Sequence, residues 1–518
     1  MSLSPSLSYR LLRGDLSVVF YVSIAKLALH LIVNAMGGYG LFRDELYYLA
    51  CANHLAAGYV DQPPLSILAL RMMTTVFGDS LFAIRLLPAV LGACTVFITG
   101  LITIRLGGKT MAQIIACICA ASPISNAMHS FYSMNSIDFL VWALTSYVIL
   151  LIVQEGDKKY WIWLGVVLGV GLMNKIGVLF LGAGIVAGLL FTKERKWLLT
   201  PWPYVAGFIA FVFFMPYVVW NVQHDMAHLE FIRNASGGKY AGLSAIDFAL
   251  GQVLLNNPMA ILIWVPGLVM LFFYTPFKQY RWLGFLYAVP FLIFLVNGTS
   301  KAEYLAPAYC GLWAAGAIGV EYFSGFFRSH YMVSGVVAAL VLMVAITLLP
   351  MTTPILPVET YIRYADALGF KPSSSESKEL GELPQFYADM FGWKQKAVDV
   401  ARAYNTLSGE DKKRCRIMGD NYGQCGAIDY YGASLGLPKS IGDHNNYWIW
   451  GHRGFTGEVL ILMGGSYDDH VNDFEEVKLA AVSDCQYCMP YEDDLHIFIC
   501  RGLKVPIDEV WGAEKKFE

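Results

Sequence analysis

Of the chain's 518 residues, 56% are hydrophobic and only 15% are charged, and the mean hydropathy is +0.49. Soluble domains carry about a quarter charged residues, so an ordinary soluble protein is excluded and an integral membrane protein is indicated. The net charge of −3, with no basic stripe, offers nothing to a nucleic acid.

The first residues, up to Asp15, are polar, and the apolar run 16–36 is long enough for a first span rather than the short core of a cleavable leader. Runs near the roughly 17–25 residues a spanning helix needs follow at 81–103, 110–126, 136–154, 160–173, 176–192, 203–221, 244–274, 281–297, 303–322 and 331–350. That makes about eleven spans, with 244–274 broken near Asn256-Asn257-Pro258. With the N-terminus inside, the cytosolic side receives Arg10, Arg13, Arg105, Lys109, Lys158, Lys159, Lys193, Arg195, Lys196, Lys278, Arg281 and Arg328. The opposite short loops carry few cations beyond those of the first loop: Lys175, Arg233, Lys239 and Lys301. Basic residues favour the cytosolic side. This asymmetry puts the first loop, the 130–135 loop, Lys175, the 220–239 loop and Lys301 outside, and an odd span count puts everything after Met351 there too.

The expected fold is therefore a multi-span α-helical membrane part, residues 1–351 with a first external loop at 37–80, followed by an extracytoplasmic domain, residues 352–518. Pro354, Pro357 and Lys371-Pro372-Ser373-Ser374-Ser375 read as linker. Residues 386–407 have helical spacing, and 414–418, 458–463 and 495–500 read as buried strands, a small mixed α/β unit. Cys94, Cys117, Cys119 and Cys310 lie in apolar runs as small hydrophobes. Cys415, Cys425, Cys485, Cys488 and Cys500 fall in the external part, where disulfide pairing is open to them, Cys485 with Cys488 among the choices.

The most informative stretch is the first loop, Arg43-Asp44-Glu45-Leu46-Tyr47-Tyr48 and then Gly58-Tyr59-Val60-Asp61-Gln62-Pro63-Pro64-Leu65. Asp44 and Glu45 directly follow a span. One plain role for such acids is to cap a helix starting near Leu46. A carboxylate at the membrane boundary is also costly without a partner or a task, and Asp44 has the chemistry of a general base.

This loop resembles the first external loop of polyprenyl-phosphate-sugar-dependent glycosyltransferases of the GT-C superfamily. Within it, the likeness is to bacterial members of the protein O-mannosyltransferase-like family, related to the lipid A aminoarabinose transferases. Further matches are Ser133-Met134-Asn135 with Asp138 and Trp142, Leu172-Met173-Asn174-Lys175, Trp220-Asn221-Val222-Gln223-His224 and Tyr304-Leu305-Ala306-Pro307-Ala308-Tyr309. The run His444-Asn445-Asn446-Tyr447-Trp448 is similar to the tails of some members. Many relatives carry Asp where this chain has Asn135.

The resemblance implies a polyprenyl-phosphate-linked sugar as donor and an envelope glycolipid, glycan or protein as acceptor, joined with inversion at the outer face of a bacterial inner membrane. Asp44 would be the base and Glu45 its positioning neighbour. Lys301, Lys175 and Arg233 are the external cations able to meet the donor phosphate. Tyr47, Tyr59, Asn135, Asp138, Asn221, Glu303 and Tyr304 are candidates for substrate contact, and Tyr39, Tyr48, Tyr132, Trp220 and Tyr240 for the interfacial belt. Asp61 and His224 have the donor types for a divalent cation, the one cofactor considered. The competing reading is a transporter or lipid flippase, disfavoured because the acids cluster at one face and no inverted repeat is visible.

Overall fold

The computed structural model describes residues 16–37, 39–239, 242–298, 301–374, 376 and 378–518. It divides into two compact units. The first comprises the chain up to Met36, Phe82–Val219 and Gly242–Leu356, and the second Gly37–Leu81, Trp220–Ala241 and Pro357–Glu518. By packing, the first loop thus groups with the C-terminal segment, whereas its place in the sequence joins it to the spans.

The first unit is helical. Leu16–Met36, Leu81–Arg105, Met134–Glu155, Trp202–Gln223, Thr275–Val296 and Tyr331–Thr352 are long and apolar enough to cross a membrane. Two bent pairs, Thr110–Ala120 with Pro123–His129 (56°) and Ala245–Leu255 with Pro258–Phe273 (101°), raise the count to eight if each is one span. The second bend falls at the expected break. Asn257 takes a left-handed φ of 77° there, and its Oδ1 accepts the Met259 N–H at 3.0 Å.

Among the described residues, length and composition therefore give six to eight spans against eleven apolar runs. The runs at 160–173, 176–192 and 303–322 supply helices of only 14, 14 and 15 residues. Fifteen residues cover about 23 Å at ~1.5 Å each, short of a hydrocarbon core of ~30 Å. Hydropathy does not register the causes. Asn174 and Lys175 interrupt the first two, and Ala302–Tyr309, with Pro307 inside it, winds as a 3₁₀ segment.

Close helix packing fixes this unit. Helices Ile261–Phe273 and Cys310–Ser324 meet at glycines: a Cβ on Gly316 would strike the Ile263 carbonyl, and one on Gly267 the Leu312 carbonyl. The buried Lys26 is accommodated by donating to Ser125 Oγ and Asn126 Oδ1, both at 2.9 Å, as a charge within a span requires.

The second unit centres on a four-stranded sheet of order β1-β2-β4-β3, with β1 at Cys415–Gly419, β2 at Val459–Met463, β3 at Phe474–Ser483 and β4 at Leu495–Leu503. β1 and β2 are parallel; β4 runs antiparallel to both its neighbours. Ile417, Ile461, Ile497 and Ile499 form the core with Ala397 and Val400 of helix Trp393–Asn405. The helical stretch expected at 386–407 is interrupted at Gly392, whose φ of +85° is left-handed. All ten cysteines are unbridged, Cys485 and Cys488 included.

Gly316→Val should force the two helices apart. The expected outcome is a sharp fall in Tm and in folded yield from membranes, measured by thermal unfolding of the detergent-extracted protein.

Candidate active site

Residues 43–52 form a helix that Phe42 precedes in extended conformation. Glu45 is the third residue of that helix and reaches back, its Oε2 accepting the Phe42 N–H at 2.8 Å. Such a carboxylate satisfies one of the donors left open at a helix start. Its side chain is 0% exposed. Asp44 turns the other way: its side chain is 35% exposed, with Oδ1 accepting the Tyr422 O–H at 2.9 Å and lying 3.8 Å from Arg43 Nε. Two adjacent acids thus have separate roles, one securing the helix and one presented to solvent.

Arg43 is the buried anchor between them. Nη1 donates to the Tyr491 hydroxyl at 2.8 Å, Nη2 lies 3.4 Å from Glu376 and 3.8 Å from Asp389, and the guanidinium sits 5.3 Å from the centre of the Tyr422 ring. Its backbone N–H donates to the Asp389 carbonyl at 2.9 Å. Neither Asp389 carboxylate oxygen has a hydrogen-bond partner among the described residues. Burial pushes this carboxyl up to about 7, against the opposing pull of Arg43.

The second half of the loop folds back onto this helix. The Tyr47 hydroxyl lies 3.0 Å from Asp61 Oδ1 and 2.9 Å from Asn446 Oδ1, and Asn446 Oδ1 also accepts the Val60 N–H at 2.9 Å. Tyr59 is fully buried; its hydroxyl accepts the Ala56 N–H at 3.2 Å and closes the turn. His228 Nδ1 stands 2.8 Å from the Val60 carbonyl, whereas His224 Nδ1 is 2.8 Å from the Trp220 carbonyl and its ring stacks on Trp220. Asn221 is buried and shapes this loop, its Oδ1 accepting the His228 N–H at 3.1 Å. Arg233 is exposed near the end of helix Ala227–Asn234. Among the described residues no group of three or more His, Cys, Asp or Glu side chains could hold a metal ion. Asp61 and His224 alone do not make a metal site, and no step below uses one.

In the first unit, the residues picked from sequence also meet. Lys175 lies between helices Lys159–Leu172 and Val178–Phe191. Its Nζ donates to Asn135 Oδ1 at 2.7 Å, is 3.6 Å from Asp138 Oδ2 and lies 5.3 Å from the centre of the Tyr304 ring. Asp138 is buried and also accepts the Trp142 indole N–H at 3.1 Å. Lys301 and Glu303 flank the start of the 3₁₀ segment, both half-buried. Tyr240 and the side chain of Lys239 lie outside the described residues.

A cavity of about 500 Å³ opens beside the opposite face of helix Arg43–Ala52, lined by Leu46, Ala50, Asn53, Arg71, Asp79 and Lys439 among others, but not by Asp44. Sequence reasoning did not find Glu376, Asp389, Tyr422 or Tyr491, which surround Arg43. Only Asn446 and the His224–His228 spacing offered a signal.

Residues 61–220 match the family model described as dolichyl-phosphate-mannose-protein mannosyltransferase. The fold is similar to that of ArnT from Cupriavidus metallidurans bound to undecaprenyl phosphate, with a TM-score of 0.59 and 13% identity over 92% of this chain and 97% of that one. The apo state of the same enzyme matches with a TM-score of 0.59 and 14% identity, over the same shares of the two chains. No curated protein sequence matches this chain. The likeness to these structures is one of fold, many-helixed with a small sheet formed by the C-terminal segment.

A carboxyl raised by burial is protonated in the folded state over a pH range where the unfolded chain, with Asp near ~3.9, has already lost that proton. The folded form then binds more protons between about pH 4 and about pH 7, so this group makes stability fall as pH rises through that window. Asp389→Asn should flatten that part of the Tm-against-pH curve, measured by thermal unfolding from pH 4 to 8.

Proposed function

We propose that this protein is a GT-C glycosyltransferase that moves a sugar from a polyprenyl-phosphate donor to a hydroxyl acceptor, with inversion, on the external face of a bacterial inner membrane. The observation that carries the reading is Asp44: a partly exposed carboxylate on a helix pinned by a buried arginine and oriented by the Tyr422 hydroxyl. The undecaprenyl phosphate bound by the ArnT of similar fold supports a lipid phosphate as the donor's carrier.

In this reading Asp44 takes the proton of the acceptor hydroxyl as its oxygen attacks the anomeric carbon. The bond from that carbon to the phosphate oxygen breaks, and its electron pair leaves with the polyprenyl phosphate. The base must lie within hydrogen-bond reach of that proton, and the Tyr422 O–H on one carboxylate oxygen leaves the other free to accept. Lys175 is the cation proposed for the departing phosphate, ahead of Lys301 and Arg233, because Asn135, Asp138 and Tyr304 already fix its ammonium. Charge held ready in this way stabilises the transition state more than most other catalytic effects do. Glu45 and Tyr59 serve the loop's architecture, and Tyr47 with Asp61 holds its two halves together. The acceptor is a lipid A or other saccharide hydroxyl, or a protein side chain.

Asp44→Asn should abolish transfer while the protein stays in the membrane at normal levels; near-normal transfer by that variant would remove Asp44 as base. Tyr422→Phe deletes a hydrogen bond to a charged group, of about 1.5–3 kcal/mol, which corresponds to roughly a 10- to 100-fold loss. The expected drop is in kcat, with KM for the lipid donor little changed, read from initial rates with radiolabelled undecaprenyl-phosphate sugars.

A further inference from the structure

Between β3 and β4 the chain runs through Cys485, Cys488 and the short 3₁₀ turn Pro490–Glu492. Cys485 is half-buried and Cys488 buried, with the Cys488 thiol donating to the Cys485 carbonyl at 3.0 Å. The Cys485 sulfur faces a cation. At Gly392, which is left-handed, a Cβ would stand 2.7 Å from Cys485 Sγ and 2.8 Å from Lys396 Nζ, so sulfur and ammonium lean on the same spot. Lys396 is fully buried and makes no hydrogen bond among the described residues; its ion pair there is with Glu492 at 3.5 Å. Asp484, Asp493 and Asp494 also lie at this turn, and Asp493 Oδ1 accepts the Cys485 backbone N–H at 2.6 Å.

We infer that Cys485 and Cys488 are a reversible dithiol–disulfide couple, with half-exposed Cys485 the attacking sulfur and buried Cys488 the resolving one. Cys-X-X-Cys spacing and a neighbouring lysine are conditions that favour a thiolate. Hydrogen bonding between the two thiols, assisted by Lys396, pushes Cys485 down to about 7 and pushes Cys488 up. The unit's other cysteines behave in the opposite way: burial raises the thiols of Cys415 and Cys500 to about 12, and raises those of Cys51 and Cys425 as well.

The oxidant is a disulfide, of a protein or of a small thiol. The Cys485 thiolate attacks one of its sulfurs, forming a mixed disulfide and expelling the other sulfur as a thiolate. Cys488 then loses its proton and attacks Cys485 Sγ, breaking the mixed disulfide and releasing the second thiolate. Two protein thiols are oxidised and one disulfide is reduced to two thiols.

The couple sits beside the residues that position Asp44. Tyr491 receives the Arg43 hydrogen bond, and Glu492 Oε1 accepts from Asn421 at 2.8 Å, the residue that caps the helix beginning at Tyr422.

The test uses the full-length protein in detergent, treated with glutathione disulfide or with iodoacetamide at pH 7 and read by peptide mass spectrometry. Cys485 should alkylate at least about tenfold faster than Cys415, Cys425 and Cys500, as a lowered thiol does. Glutathione disulfide should give an intramolecular 485–488 bond that dithiothreitol reverses, and Cys488→Ser should stop at the glutathione adduct on Cys485. Alkylation of Cys485 no faster than of the buried cysteines, or both thiols surviving glutathione disulfide, would overturn the assignment.

Discussion

One buried guanidinium holds the candidate site together. Arg43 begins the helix that carries Asp44, and its charge is met by Glu376, Asp389 and the Tyr491 hydroxyl, all from the C-terminal segment. Leaving such a group without its partners costs about 3–5 kcal/mol, so the loop is held to the domain far more firmly than exposed ion pairs allow. Three acids around one arginine is an excess of negative charge. The raised carboxyl of Asp389 relieves it by keeping its proton up to about neutral pH.

That constraint explains how two neighbouring acids come to differ. Glu45 is held by the backbone of its own helix, and the Arg43 cluster fixes the face on which Asp44 emerges. Tyr422, at the start of a helix capped by Asn421, then supplies a hydrogen bond that orients the carboxylate. In the first unit, Lys175 is treated in the same manner: an amide, a carboxylate and an aromatic ring take up its ammonium at a gap between two short helices.

The sequence was most legible where polar residues interrupt apolar runs. Lys175 and the Asn256-Asn257-Pro258 break stood out because little else polar surrounds them, and the many-helixed fold with its small C-terminal sheet could be read from the hydropathy pattern. Long-range partners were illegible. Tyr422 lies 378 residues from Asp44 and Glu376 lies 333 from Arg43, and no local period marks such a pairing. The separate roles of Asp44 and Glu45 depend on burial, which adjacent identical chemistry conceals. Strand β3 was missed because Glu475, Glu476 and Lys478 sit on an exposed edge strand, where charge protects the edge but hides the strand's alternation. His228 escaped notice beside His224, although the chain turns at left-handed Asp225 and Met226 between them and it is His228 that meets the first loop.

The central claim is that the Asp44 carboxylate receives the acceptor's proton. A cryo-EM structure of the protein with a non-transferable undecaprenyl-phosphate sugar and an acceptor saccharide would test it most directly. The account predicts the attacking hydroxyl about 2.6–3.2 Å from the Asp44 oxygen that Tyr422 does not occupy. An acceptor hydroxyl resting against a different carboxylate, with Asp44 still facing open solvent, would contradict it.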